Sequence, residues 1–278
     1  MKRFFSYIKI IRPLNCVITA LVVIVGGVIS STDYSIDSLL VLASLVAALT
    51  AASGNVINDL FDIEIDKIVH PNRPLAKGEL EIIEVRIFYV LLIITASAIT
   101  FNLNYLLFVV TVLAILILFF YSAYIKKIPL LGNVVVALLT ALAFLFGGIA
   151  VNNISGAVLP AIFAFLINLI RELVKDAEDI EGDKKNNVIT FPIKFGIQRT
   201  KQIVLLITLI LIGFTFYPFA ERIYEIEYFV IVMIIVNPVL VYSVKSLFTD
   251  NERKNYHRIS SLLKLDMIFG LIAIFLGK

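Results

Sequence analysis

Asn55-Val56-Ile57-Asn58-Asp59-Leu60-Phe61-Asp62-Ile63-Glu64-Ile65-Asp66 closes a strongly apolar run, Leu39 to Ala52, with two amides and four carboxylates. At about 100° per residue, Asn55, Asn58, Asp59, Asp62 and Asp66 share roughly a 100° arc of one helix face, and Glu64 points away. Carboxylates crowded on one face repel each other and need a compensating cation. Hard oxygen donors of this kind suit Mg²⁺, which divides its shell between carboxylates and substrate phosphates. The rest of the chain reads outward from this face.

The apolar run is one of many. Of 278 residues, 60% are hydrophobic and 16% charged, whereas a soluble domain carries about a quarter charged residues. The mean hydropathy of +0.98 points the same way, to an all-α, polytopic membrane protein. A single cysteine, Cys16, excludes an intrachain disulfide. Lys2 and Arg3 precede an apolar run without an Ala-x-Ala cleavage pattern, so a retained first span is expected, not a signal peptide. Nine runs are long enough to cross a hydrocarbon layer of about 30 Å, near 14–30, 37–58, 84–101, 104–122, 131–151, 155–174, 203–220, 227–247 and 260–277. Every Lys and Arg except Arg222 and Lys278 falls at alternate links between these runs. The positive-inside rule then places the N-terminus and two long polar loops, about 55–83 and 172–202, in the cytoplasm. A cell-membrane protein with its chemistry on the cytoplasmic side is expected, with no nucleic-acid partner.

The second loop echoes the first. The sixth run ends Arg171-Glu172-Leu173-Val174-Lys175-Asp176-Ala177-Glu178-Asp179-Ile180-Glu181-Gly182-Asp183. Asp176, Asp179 and Asp183 stand at one constant offset from Asp59, Asp62 and Asp66, and that offset also aligns Glu172 with Asn55. Asn15, after Arg12-Pro13-Leu14, and Asn133, after Pro129-Leu130-Leu131-Gly132, differ by one residue more than the offset. The expectation is a parallel four-span pseudo-repeat, spans one to four and five to eight, with a ninth added, and both acidic faces on one side of the membrane. A single such cluster could be a solvated helix extension. Two at matched positions favour function, because acids at membrane depth are costly.

Two acidic faces among basic loops suggest a metal-bridged diphosphate, each face suiting one Mg²⁺, two in all. Lys67, Arg73, Lys126, Arg171 and Lys175 are candidate anion partners, with Asn15 and Asn133 as neutral donors. If the diphosphate is esterified to an allylic chain, neutralising the departing group allows the carbon–oxygen bond to break heterolytically. The resulting cation must be kept from water, which an apolar helix bundle does well.

Asn58-Asp59-x-x-Asp62-x-x-x-Asp66 and Asp176-x-x-Asp179-x-x-x-Asp183 resemble the two aspartate motifs of the UbiA superfamily of intramembrane prenyltransferases, and the resemblance covers essentially the whole chain. Gly54-Asn55-Val56-Ile57-Asn58-Asp59, His70-Pro71-Asn72-Arg73-Pro74-Leu75-Ala76-Lys77-Gly78 and the second motif are most similar to the archaeal branch of that family, which makes the second ether bond of archaeal membrane lipids. The resemblance implies a single UbiA-like domain over 1–278, Mg²⁺ dependence, geranylgeranyl diphosphate as donor and (S)-3-O-geranylgeranylglyceryl phosphate as acceptor. It implies a central cavity open sideways to membrane lipids. Asp59, Asp62, Asp66, Asp176, Asp179 and Asp183 match the catalytic and metal-binding aspartates, and Arg73 the Arg-Pro after the first motif. Asn55, Asn58 and Glu172 would face the same cavity. Lys77 and Arg73 could serve an acceptor phosphate. The family's Tyr-x-x-x-Lys pattern is not matched cleanly, since Tyr121 and Lys126 are one residue too far apart, and the roles of Tyr121, Tyr124, Lys126 and Lys127 stay open.

Other features have plainer readings. His70 and His257 lack metal-ligand partners and read as loop histidines. Gly147-Gly148 reads as a close helix contact, Arg253 and Lys254 as topology anchors, and Pro160, Pro218 and Pro238 as kinks. A prenyltransferase for an aromatic acceptor is the alternative function. A CDP-alcohol phosphotransferase would need an Asp-x-x-Asp-Gly-x-x-Ala-Arg run that the chain lacks, and a cation transporter usually carries inverted repeats.

Overall fold

In the computed structural model every residue is described except Met1, Tyr34, Asn186 and Asn187, with Lys2, Val69 and Lys185 described by their backbone alone, and the described residues contain helices and no strands. The helices are α1 (Lys2–Ile10), α2 (Pro13–Ser30), α3 (Ser38–Phe61), α4 (Ile63–Val69), α5 (Ile82–Leu103), α6 (Tyr105–Ala123), α7 (Leu131–Ala150), α8 (Ile154–Glu178), α9 (Ile180–Lys185), α10 (Phe191–Phe195), α11 (Ile197–Ala220), α12 (Ile226–Ile231), α13 (Asn237–Thr249) and α14 (Arg253–Gly277). Among the described residues, 9 helical stretches are long and apolar enough to cross a membrane: α2, α3, α5, α6, α7, α8, α11, the continuous Ile226–Thr249 and α14. Their backbone groups bond within each helix, the condition for crossing hydrocarbon. Exposed Leu, Ile, Val and Phe side chains such as Leu91, Leu113, Leu209 and Ile234 cover them outside.

Each expected span is present, and three are longer than hydropathy alone suggests. The sixth runs on to Glu178, the seventh begins at Ile197 and the ninth at Arg253. Charged residues end an apolar window without ending a helix, whose hydrogen bonds are indifferent to side-chain charge. The long polar loops are themselves partly helical, holding α4 in the first and α9 and α10 in the second.

The chain forms two compact units, Met1–Lys126 with Leu142–Val158, and Lys127–Ala141 with Leu159–Lys278. The first has two apolar cores. One gathers Val23, Leu40, Ala43, Val46, Ala96, Leu107 and Phe146. The other, at the acidic end of α3, gathers Ile10, Cys16, Ala52, Val56, Leu75, Leu80 and Val85. Within this unit α2 and α7 touch backbone to backbone. A Cβ on Gly147 would lie 2.1 Å from the Val23 carbonyl oxygen and 2.6 Å from the Gly27 nitrogen. Gly147 is thus the close helix contact its sequence suggests.

In the second unit α11 to α14 pack together. Asn237 and Thr215 bond side chain to side chain at 3.2 Å, and the Tyr228 hydroxyl donates to the Thr215 carbonyl at 3.0 Å. Pro160 lies inside α8 and Pro218 in the last turn of α11. Pro238 has no N–H to donate, and just before it the helix widens to a π-turn over Val232–Val236.

Among the described residues a few buried polar atoms lack a hydrogen-bond partner, and Asp266 is the one carboxylate among them. Asp266, midway along α14 and only 1% exposed, has no hydrogen-bond partner for either carboxylate oxygen. A buried polar group left unpaired costs about 1–3 kcal/mol. Asp266→Leu, a branched side chain of similar outline, should therefore raise the midpoint of thermal unfolding in detergent. A lowered midpoint would show that the carboxylate has a stabilising partner.

Candidate active site

The first acidic set lies in the first unit, where α3 breaks into α4. Asp62 sits at the break with φ −97° and ψ 6°. Its N–H still bonds to the Asn58 carbonyl at 3.0 Å, and the Asp66 N–H to its own carbonyl at 2.8 Å. The acidic face therefore spans two short-linked helices, not the single continuous helix that the spacing suggests. The second set, in the second unit, is built alike. α8 ends at Glu178, Asp179 occupies the break, and its N–H bonds to the Lys175 carbonyl at 3.1 Å. The Asp183 N–H then bonds to the Asp179 carbonyl at 2.9 Å.

Every aspartate of the first set holds a cation. Asp59, 2% exposed, takes Arg12 at 2.5 Å and Arg73 at 3.4 Å. Asp66, 3% exposed, accepts from one Arg73 nitrogen at 2.7 and 2.6 Å through its two oxygens. Asp62 takes Lys126 at 2.5 Å, and Lys126 also donates to Asn58 Oδ1 at 3.1 Å. Asn58 in turn donates to Asp62 at 3.0 Å, and Asn55 donates to the Ile11 carbonyl at 2.8 Å, tying α3 to the chain before α2. Breaking a buried pair of this type is costly, because the carboxylate is left uncompensated.

The cations arrive from loops and helix breaks. Arg12 separates α1 from α2 in left-handed geometry, φ 52° and ψ 72°. Pro13 disfavours the right-handed helical region for the residue before it, and a non-glycine held there signals local strain at a useful place. Arg12 is the site residue that composition and motif spacing miss. Its signal is the Arg-Pro dipeptide at the head of the first span. Lys126 is in the turn after α6, and the structure gives it a place on Asp62 despite the irregular spacing from Tyr121, which lies in the last turn of α6.

The second set holds far less positive charge. Asp176 accepts from Asn133 at 2.9 Å. Asp179 has Arg253 at 3.6 Å, a loose contact with both groups partly exposed. Asp183 makes no ion pair among the described residues, and burial, reinforced by Asp179, pushes its carboxyl up to about 6 while Thr190 and Lys175 act to lower it. The residues that would match the first set's arginines are neutral. Leu130, φ 70°, stands before Asn133 as Arg12 stands before Asn15, and Thr190 is offset from Arg73 as Asp183 is from Asp66.

The remaining expected residues are spread out. Lys67 pairs with Glu64 at 2.7 Å and Lys77 with Glu79 at 2.6 Å, in exposed or partly exposed pairs. Arg171 pairs with its neighbour Glu172 at 2.8 Å. Asn15 is exposed in the first turn of α2, and Lys175 is exposed beside Asp176. His257 is a helical residue of α14, bonded to Glu178 at 2.9 Å, not a loop histidine.

Among the described residues no three His, Cys, Asp or Glu side chains converge closely enough to enclose a metal. The donors are nevertheless hard oxygens, and an ion held by one or two of them completes its shell with phosphate and water, as Mg²⁺ ordinarily does. The donor set fits that metal, most directly at Asp176, Asp179 and Asp183, where the carboxylates are least compensated.

The chain is similar to known proteins along nearly its whole length. Residues 17–266 match the model of the UbiA prenyltransferase family. A digeranylgeranylglyceryl phosphate synthase from Thermococcus kodakarensis is 34% identical over 99% of this chain and 98% of its own length. A solved structure from work on digeranylgeranylglyceryl phosphate synthase in membranes superposes with a TM-score of 0.86 at 33% identity, covering 100% of this chain and 99% of that one. A UbiA homologue from Archaeoglobus fulgidus, solved with GPP and Mg²⁺, has the same fold, with a TM-score of 0.71 at 22% identity over 97% of this chain and 99% of that one.

Asp183 gives a pH test that needs no ligand. Its folded value of about 6 lies above the ordinary 3.8, so the native state binds a proton that the unfolded chain releases between those values. Stability from this group is present below pH 3.8 and lost as pH rises through about 6. The gap in unfolding midpoint between Asp183→Asn and the parent, metal-free, should widen in the variant's favour across that window. A gap constant with pH would show that Asp183 titrates normally.

Proposed function

We propose, from the premise that this chain belongs to the UbiA prenyltransferase family, that it transfers a geranylgeranyl group to a glyceryl phosphate lipid. The donor is geranylgeranyl diphosphate, and the acceptor is (S)-3-O-geranylgeranylglyceryl phosphate through its free hydroxyl. The observation that carries the acceptor is the near-full-length identity with digeranylgeranylglyceryl phosphate synthase. The protein is a multi-pass membrane prenyltransferase. We take the charge distribution to place its N-terminus and both acidic sets on the cytoplasmic side of the cell membrane, within one domain built from two four-span repeats.

In this reading Arg12, Arg73 and Lys126 are a reserve of positive charge. With no substrate they neutralise Asp59, Asp66 and Asp62. Asp176, Asp179 and Asp183, and with the substrate's phosphates Asp59, Asp62 and Asp66, would hold Mg²⁺, which would supply positive charge to carboxylate and phosphate oxygens. The guanidinium and ammonium groups then turn their donors to the diphosphate, where arginine's fork suits phosphate oxygens. The bond between the prenyl C1 and the diphosphate oxygen breaks, and the electron pair leaves with diphosphate. The glycerol hydroxyl oxygen closes on C1, and its proton passes to the departing diphosphate. The chain's work is to hold the leaving charge, orient the hydroxyl and keep water from an allylic cation.

Purified protein with labelled geranylgeranyl diphosphate and Mg²⁺ should label the glyceryl phosphate acceptor and not 4-hydroxybenzoate. Asp62→Ala and Asp179→Ala should each lower turnover by roughly 10²–10³-fold without unfolding the protein. Transfer to 4-hydroxybenzoate alone would replace the acceptor assignment with the aromatic one. Near-parent turnover in either variant would remove that aspartate from the site.

A further inference from the structure

The ninth span is extra to the four-plus-four pattern, yet its first turn lies against the second acidic set. Arg253 and His257 are four residues apart on α14 and therefore share a face. Arg253 reaches Asp179 at 3.6 Å, and His257 bonds to Glu178 at 2.9 Å. Glu178 is two residues on from Asp176, so it projects from the opposite side of α8 to the acidic face, and its side chain is only 14% exposed. His257 thus ties α14 to the back of the helix end whose front carries the acids.

Arg253 also has a counterpart. In the first unit, Lys126 follows α6, the fourth span, by a few residues and sits on Asp62, the central aspartate at the helix break. In the second unit, Arg253 follows α13, the end of the eighth span, by a few residues and sits on Asp179, again the central aspartate at the break. The contact differs in kind. At 2.5 Å Lys126 is hydrogen-bonded, whereas at 3.6 Å Arg253 is held by charge alone. Its side chain is 73% exposed, so the guanidinium donors that do not face Asp179 stay open to an anion.

We propose that Arg253 binds a phosphate group of a substrate beside Asp179, and that His257 is a positioning residue that sets Arg253 there by holding Glu178. This rests on the transferase reading above. The chemistry recognised is a phosphate oxygen pair, which the prenyl donor's diphosphate and the lipid acceptor's phosphate both offer. Lys67 and Lys77, which the sequence offers for this purpose, are occupied by Glu64 and Glu79.

The test measures KM for each substrate at saturating levels of the other in Arg253→Ala, Arg253→Lys and His257→Ala. A charge-assisted hydrogen bond lost from such a contact corresponds to about tenfold or more. Arg253→Ala should raise the KM of one substrate by that factor with kcat within about twofold, and the substrate affected names the source of the phosphate. Arg253→Lys should recover part of the loss. His257→Ala should raise the same KM, and the double variant should be no worse than Arg253→Ala alone. Both KM values unchanged in Arg253→Ala, or a fall in kcat alone that Lys does not rescue, would overturn the proposal. Independent penalties in the double variant would overturn the part given to His257. Calorimetric titration of inorganic diphosphate with Mg²⁺ into the same proteins separates this from the transferase reading. Failure of the parent to transfer to either acceptor strikes the reading. Diphosphate binding equal in parent and Arg253→Ala, together with unchanged KM values, strikes the proposal.

Discussion

Carboxylates at the end of a membrane helix must be neutralised, and most of the polar structure follows from how that is done. Asp59 and Asp66 are almost fully buried beside helices whose other faces meet hydrocarbon, where an uncompensated charge is not tolerated. The first unit solves this internally. Arg12 comes from the strained break before α2, Arg73 from the loop after α4, and Lys126 from the turn after α6, one source for each aspartate. The second unit repeats the helix break and the aspartate spacing but carries Leu130 and Thr190 where arginines would match. What remains there is an amide on Asp176, a distant guanidinium on Asp179 and a raised pKa at Asp183. We read this asymmetry as a division of labour. One set is balanced by cations of its own unit, and the other is where, in the proposed function, Mg²⁺ would bind.

The fold supplies the placement. The breaks at Asp62 and Asp179 let a helix turn aside while the backbone N–H and carbonyl of each aspartate keep their i to i−4 bonds. Asn55 anchors α3 to the carbonyl of Ile11, immediately before the arginine that serves Asp59. Gly147 lets α7 approach α2 at backbone distance. Each is a local device that fixes one functional side chain or the helix bearing it.

Much of this was legible in the sequence because its signals are periodic. Nine apolar runs and the aspartate spacings read directly from residue types, and all nine spans are helices among the described residues. Helix ends were less legible. Arg253 to Ile259 reads as a polar link because side-chain charge masks a continuing helix. Pairing was least legible, since the partners of the aspartates lie far along the chain. Lys126 and Asp62 are 64 residues apart and Arg12 and Asp59 are 47 apart, and no local pattern encodes such meetings. Lys67 and Lys77 read as available from sequence, whereas short-range partners hold them.

The account turns on the difference between the two acidic sets, and Mg²⁺ binding without substrate measures it most directly. Titration calorimetry on the purified protein, free of diphosphate, should show Mg²⁺ binding that Asp179→Asn abolishes and Asp62→Asn leaves nearly intact, because Lys126 already occupies Asp62. Adding inorganic diphosphate should make the binding depend on both residues. Equal loss in the two variants without diphosphate, or loss at Asp62→Asn alone, would contradict it.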